Sequence, residues 1–221
     1  AEAHAITGKT MAATVSGANT NFDRLRYISE RTEIGERREA ILSVTIPERA
    51  GAFRTFCSAI GKRNITEFNY RYETSGEARV FVGLTVTPDD EGVSALQSVL
   101  ERKGYRVLDM TDNETAKLHL RHMIGGRVSR DIADEMVFRV EFPERPGSLL
   151  QFLNALGNEF SISLFHYRNH GSAFGRILVG MQVPASKRAA LKKALSRLGY
   201  RFWEETDNLA YREYLGRPAT G

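Results

Sequence analysis

Glu39–Gly51 reads EAILSVTIPERAG, and Glu135–Gly147, 96 residues further on, reads EMVFRVEFPERPG. The Pro-Glu-Arg tripeptide and the glycine two places after it recur in one register. The match runs on: Ala59-Ile60-Gly61 is answered by Ala155-Leu156-Gly157, Glu67–Arg71 (EFNYR) by Leu164–Arg168 (LFHYR), and Arg79–Gly83 (RVFVG) by Arg176–Gly180 (RILVG). Gly104-Tyr105-Arg106 and Thr111-Asp112-Asn113 return as Gly199-Tyr200-Arg201 and Thr206-Asp207-Asn208. The offset drifts from 96 to 97 and then to 95, as short loop insertions produce in two copies of one unit.

Within each copy the periodicity alternates. Leu42, Val44 and Ile46 share one face of a strand, as do Phe138, Val140 and Phe142, and a proline ends each run. Phe53, Phe56, Cys57 and Ile60, like Leu149, Leu150, Leu153 and Leu156, form a helical stripe that stops at Gly61 or Gly157. Two strand-like runs follow, Ile65–Tyr72 and Arg79–Val86, then Ile162–Arg168 and Arg176–Val183, each pair expected to form a hairpin. A second helix carries Leu96 and Leu100, or Leu191 and Leu195, before a short last strand. The order is βαββαβ, so the expected class is α+β: two tandem ferredoxin-like subdomains, antiparallel sheets with helices on one face. Each copy runs on into a helical stretch, Asn113–Met123 or Asn208–Leu215, with Asp112 or Asn113 and Asp207 or Asn208 as candidate N-caps. The expected divisions are 39–124 and 135–215 for the two copies and 1–38 for a linker and the cut end of another domain, with a strand over Lys9–Val15 and a charged helix over Phe22–Glu33.

Composition narrows the function. The 221 residues are 42% hydrophobic and 26% charged, which excludes disorder, and no apolar run approaches the ~18 residues of a membrane span. A single cysteine, Cys57, excludes a disulfide scaffold and suggests a reducing compartment, the cytoplasm. The net charge of +4 is dispersed: Arg24, Arg26, Arg31, Arg37 and Arg38 interleave with acidic residues, so no nucleic-acid surface is expected. A βαββαβ sheet also suits RNA-binding domains, but Arg79–Gly83 carries one aromatic residue and Arg176–Gly180 none, so the base-stacking platform is missing. His119 and His122 have no companion ligands, so no metal is expected, and Cys57 reads as a small apolar residue of the helix stripe. No nucleophile elbow, Walker lysine or Gly-x-Gly-x-x-Gly turn occurs, and no catalytic residue is assigned.

Phe68–Arg71, Ser161–Gly171, Ala40–Arg49 and Phe142–Leu150, together with Ser16–Asn19 and Asn21–Arg26, closely resemble the regulatory region of biosynthetic threonine deaminase, the threonine ammonia-lyase of isoleucine synthesis. The resemblance spans essentially the whole chain. It implies two ACT-like subdomains cut away from a catalytic domain that carries pyridoxal phosphate; no cofactor is expected on this chain. It also implies isoleucine as feedback inhibitor, valine as counteracting effector, the catalytic domain as partner, and a homo-oligomer.

The residues make physical sense of that role. Gly51 and Gly147 precede the first helix of each copy, where backbone N–H groups and the helix dipole favour a carboxylate. Phe53, and in the other copy Leu149, Leu150 and Leu153, are candidates to line an aliphatic pocket. Asn69-Tyr70 and His166-Tyr167 occupy equivalent strand positions where the resemblance places effector contacts. Both tyrosines also suit core or interface aromatics. Isoleucine exceeds valine by one methylene, worth about 1 kcal/mol, so opposite effects require two conformations or two unequal sites. Phe53 against Leu149 and Asn69 against His166 supply the inequality, and the first copy's pocket is expected to be the primary isoleucine site. The alternative is a structural or oligomerisation module that binds no ligand.

Overall fold

The computed structural model describes Leu25, Ile28 and residues 39–72, 76–86, 92–126, 132–169 and 174–215. The chain divides into two compact units, Ala1–Glu36 and Arg37–Gly221. In the first, Leu25 and Ile28 are helical, within the expected Phe22–Glu33 helix, whereas the Lys9–Val15 strand lies outside the described residues.

The second unit runs β1 (Glu39–Pro47), α1 (Ala52–Ile60), β2 (Ile65–Arg71), β3 (Glu77–Thr85), α2 (Gly92–Arg102), β4 (Arg106–Asp109) and α3 (Glu114–Leu118). The order then returns as β5 (Glu135–Pro143), α4 (Ser148–Leu156), β6 (Ser161–Arg168), β7 (Phe174–Gln182), α5 (Arg188–Arg197), β8 (Arg201–Glu204) and α6 (Leu209–Tyr214). Both βαββαβ units are therefore present, with β2–β3 and β6–β7 as antiparallel pairs. The first-helix stripes are buried as their spacing requires: Phe53, Phe56, Cys57 and Ile60 in α1, and Leu149, Leu153 and Leu156 in α4. Asn113 and Asn208 are the N-caps of α3 and α6, their side chains accepting the N–H of Ala116 in one and of Ala210 and Tyr211 in the other.

The two units do not keep separate sheets. β2 and β6 pair antiparallel and join them into one eight-stranded sheet of order β4-β1-β3-β2-β6-β7-β5-β8. At this seam Glu67–Arg71 face Arg168–Leu164, and Asn69 stands opposite His166. Because these two residues are also equivalent in the repeat, an approximate two-fold axis passes between them. Joining the units this way removes what would otherwise be an exposed strand edge on each.

Alternation along the strands divides the seam residues between the two faces of the sheet. Phe68, Tyr70, Phe165 and Tyr167 join the main core under α1, α2, α4 and α5. Phe53 of α1 reaches across the seam, its ring centroid 4.6 Å from Tyr70 and 5.7 Å from Phe165. Burying each such ring stabilises by roughly 1.5–3 kcal/mol, so the junction is a core in its own right.

The other face carries α3 and α6. Ala116 packs there against Ile41 and Phe81, and a polar network lies beneath the helices. Arg121 pairs with Glu67 at 2.6 Å and Glu39 at 3.2 Å, while Arg71 grips Glu135 with both terminal nitrogens, at 2.6 and 3.3 Å. Burial opposes the charge on Arg121, but Glu39 and Glu67 outweigh it and hold the guanidinium above its ordinary value. Ser163 and Tyr211 also donate to Glu135, and Arg71 donates to the Leu215 carbonyl at 3.0 Å. Leu118, Leu120 and Met123 beside α3, and Leu209 and Tyr214 on α6, are exposed.

Candidate functional site

Two clefts flank the seam, and each is made by both repeats. The larger, about 380 Å³ with its mouth, is formed by Glu144, Gly147, Leu149, Leu150 and Tyr167 of the second repeat and by Cys57, Gly61, Arg63, Asn64 and Ile65 of the first. The smaller, about 300 Å³, is formed by Arg49, Gly51, Phe53 and Arg54 of the first repeat and by Leu153, Leu156, Gly157, Phe160 and Ile162 of the second. The approximate two-fold exchanges them: Gly51 answers Gly147, Phe53 answers Leu149, and Leu153 answers Cys57. Each cleft sets the N-terminal end of one repeat's first helix against the C-terminal end of the other's.

The glycines are needed at these helix starts. Gly51 has φ 82° and Gly147 φ 89°, left-handed values that cost a side-chain-bearing residue about 1–2 kcal/mol. No side chain caps either helix. Ala52 and Ser148 N–H donate to the Arg49 and Arg145 carbonyls, and the next amides of each first turn remain as donors for an anion, helped by the helix dipole. The Gly147 cleft adds a carboxylate, Glu144, held by the Tyr167 hydroxyl at 2.5 Å. In the other repeat Tyr70 donates to Glu48 over a longer 3.4 Å. Cys57 belongs to the apolar wall: burial pushes its thiol up to about 12, so it stays protonated and unreactive.

The expected effector residues divide by position. Gly51, Phe53 and Leu153 meet in the smaller cleft, and Gly147, Leu149, Leu150 and Tyr167 in the larger. Tyr70 lies behind Phe53 in the core. Asn69 and His166 enter neither cleft: adjacent strand residues point to opposite faces, so both side chains lie across the sheet from their tyrosine neighbours. Asn69 donates there to Glu67 at 2.7 Å. Sequence reasoning placed Leu153 with Leu149 and Leu150, whereas it lines the Gly51 cleft; it missed Glu144, although its Pro-Glu-Arg motif marked the repeat, and it missed Arg63, Asn64 and Phe160. Those residues follow the first helix of the opposite copy, and only the β2–β6 pairing brings them to a cleft.

A family model described as the C-terminal regulatory domain of threonine dehydratase matches residues 30–120 and again 126–215. The chain belongs to this family. As a threonine dehydratase regulatory region, it is 47% identical over 215 residues to the biosynthetic L-threonine dehydratase of Burkholderia multivorans, covering 97% of this chain and 42% of that protein. It is 46% identical to the Escherichia coli enzyme over 96% of this chain and 41% of that one, and 39% identical to the mitochondrial threonine dehydratase of Saccharomyces cerevisiae over 95% and 37%. The chain thus spans about two-fifths of the length of these relatives. Neither cleft of the threonine dehydratase regulatory region is lined by a lysine. The clefts consequently do not fit pyridoxal phosphate, which needs an amine for its Schiff base. Among the described residues no helix is long and apolar enough to cross a membrane, and no group of His, Cys, Asp and Glu is placed to hold a metal ion.

Three phenols give this region a defined alkaline limit. Burial, and then the hydrogen bond and charge of Glu135, push Tyr211 up to about 12. Burial first, reinforced by Glu48 or Glu144, raises Tyr70 and Tyr167 still further. In the unfolded chain such phenols ionise near 10. A folded-state pKa above the unfolded one means that stability is intact below about pH 10 and falls as pH rises through about 12. Unfolding midpoints measured against pH should drop in that window, with phenolate absorbance of Tyr70 and Tyr167 appearing only as the chain unfolds.

Proposed function

We propose that this chain is the effector-sensing region of a pyridoxal-phosphate-dependent threonine dehydratase, with isoleucine as the inhibitor taken by the clefts and valine as its antagonist. The cofactor and the deamination of threonine to 2-oxobutanoate belong, in this reading, to the remainder of the protein. The observation that carries the proposal is the composition of the Gly147 cleft, which offers one partner for each part of an α-amino acid. The first-turn amides of α4 suit the carboxylate, Glu144 suits the ammonium group, and Leu149, Leu150, Cys57 and Ile65 supply an apolar wall for a branched side chain. Tyr167 holds Glu144 in place. Because Glu144 lines this cleft, the reading makes the Gly147 cleft the primary isoleucine site, rather than the pocket at Gly51 and Phe53 that sequence pattern favoured.

Discrimination follows from the inequality of the two clefts. One methylene is worth about 1 kcal/mol, too little for one rigid pocket to accept isoleucine and refuse valine. Two clefts of different lining can prefer different occupants, and ligands that prefer different arrangements of the α1–α4 contact then act in opposite directions. The test is thermal unfolding with added amino acid. Isoleucine at a hundred times its dissociation constant should stabilise by about 2.7 kcal/mol, roughly 5–10 °C for a chain of this size, with a smaller shift for valine and none for threonine. No shift with isoleucine or valine overturns the reading.

The exposed Leu118, Leu120, Met123, Leu209 and Tyr214 on the other face favour a second reading, in which the chain serves assembly. Self-association of the chain that is indifferent to isoleucine would support that role.

A further inference from the structure

The two trailing helices are anchored by different means. α3 buries Ala116 and Lys117, and Ala116 packs against Ile41 and Phe81. α6 buries none of its residues, and its Leu209 and Tyr214 face solvent. The repeat supplies the reason: Tyr211 takes the place of Ala116, and Val137 and Leu178 stand where Ile41 and Phe81 do. What holds α6 to the sheet is polar and comes from both repeats. Tyr211 donates to Glu135 of β5, and Arg71 of β2, reaching across the seam, donates to the Leu215 carbonyl at 3.0 Å while gripping the same Glu135. A helix of six residues falls well short of the ~12–15 at which an isolated helix becomes even marginally stable, so α6 depends on these contacts for its order.

We infer that α6 is an order–disorder strap that reads the seam: it is helical while Arg71 of the first repeat and Glu135 of the second remain paired, and it melts when the repeats shift apart. Both anchors have to be in place at once, because Tyr211 takes its acceptor from one repeat and Leu215 takes its donor from the other. α3 is spared this dependence, since its apolar anchor lies within the first repeat. Melting of α6 disrupts no core packing, so the strap opens at a free energy well below that of global unfolding. The regulatory part rests on the proposed effector role of the clefts: an occupant that touches both repeats braces the seam and with it the strap.

Hydrogen exchange of the chain, read over residues 209–215 and 114–118, tests this through two substitutions. Tyr211→Phe removes one hydroxyl and should speed exchange over 209–215 by about tenfold or more, as loss of a hydrogen bond to a charged group predicts, with 114–118 unchanged. Arg71→Lys keeps a positive charge beside Glu135 but lacks the fork that also reaches the Leu215 carbonyl. It should speed 209–215 likewise, while lowering the unfolding midpoint far less than removal of the charge does. Acceleration confined to 209–215 in both variants supports the strap. Unchanged exchange there in either variant, or equal acceleration over 114–118, overturns it. Isoleucine at saturation should slow exchange over 209–215 severalfold in the unsubstituted chain. Isoleucine that binds by calorimetry without slowing it overturns the link between clefts and strap, whereas absence of binding overturns the effector reading and leaves the strap to be decided by the two variants.

Discussion

Replacing Arg71 with methionine should destabilise the chain by about 3–5 kcal/mol, lowering its unfolding midpoint by roughly 10 °C or more. Arg71 and Glu135 are 7% and 9% exposed, and their ion pair joins the two repeats. Removing the guanidinium leaves the Glu135 carboxylate buried with only the Ser163 and Tyr211 hydroxyls as donors. The cost arises mainly from that stranded charge rather than from the lost attraction, because desolvating two ions offsets much of what their pairing returns. The double substitution Arg71→Met with Glu135→Leu should therefore recover most of the loss. Thermal unfolding of the three proteins checks this, and a double variant no more stable than Arg71→Met would show that the pair itself is the net stabiliser.

Changing Glu144 to glutamine should weaken isoleucine binding by about tenfold to a hundredfold while leaving stability almost unchanged. The substitution keeps the side chain's shape and its contact with Tyr167 but removes the charge proposed to receive the ammonium group, and a hydrogen bond to a charged group is worth about 1.5–3 kcal/mol. Tyr167→Phe acts one step back, freeing Glu144 to rotate, and should cost less. Calorimetric titration against isoleucine separates the two effects. Unaltered affinity in Glu144→Gln would remove the carboxylate from the proposed site.

Both predictions turn on features with different visibility in the sequence. The repeat disclosed each βαββαβ unit, because strand parity, helix stripes and the asparagine caps are local patterns written twice. The merging of the sheets was not legible. β2 and β6 carry the same apolar alternation whether their outer edges meet each other, another chain or a covering loop, and nothing within a few residues of Phe68 or Phe165 selects among these. The glycine helix starts at Gly51 and Gly147 and most of the apolar residues named with them do line the clefts. Asn69 and His166 were placed among the effector contacts by the family resemblance, although the two-residue strand period, applied strictly, sends them to the other face. Arg63, Asn64 and Phe160 were out of reach because their role depends on a partner nearly a hundred residues away.

The two-fold seam has a consequence for how such a region diversifies. A repeat that paired with an identical copy through this strand edge would bury the same aromatics and form the same pair of clefts, but every substitution would appear in both. Joining the copies in one chain removes that identity constraint. A change such as Phe53 against Leu149 then alters one cleft and leaves its twin untouched, so that a symmetric ancestor acquires two clefts with separate histories.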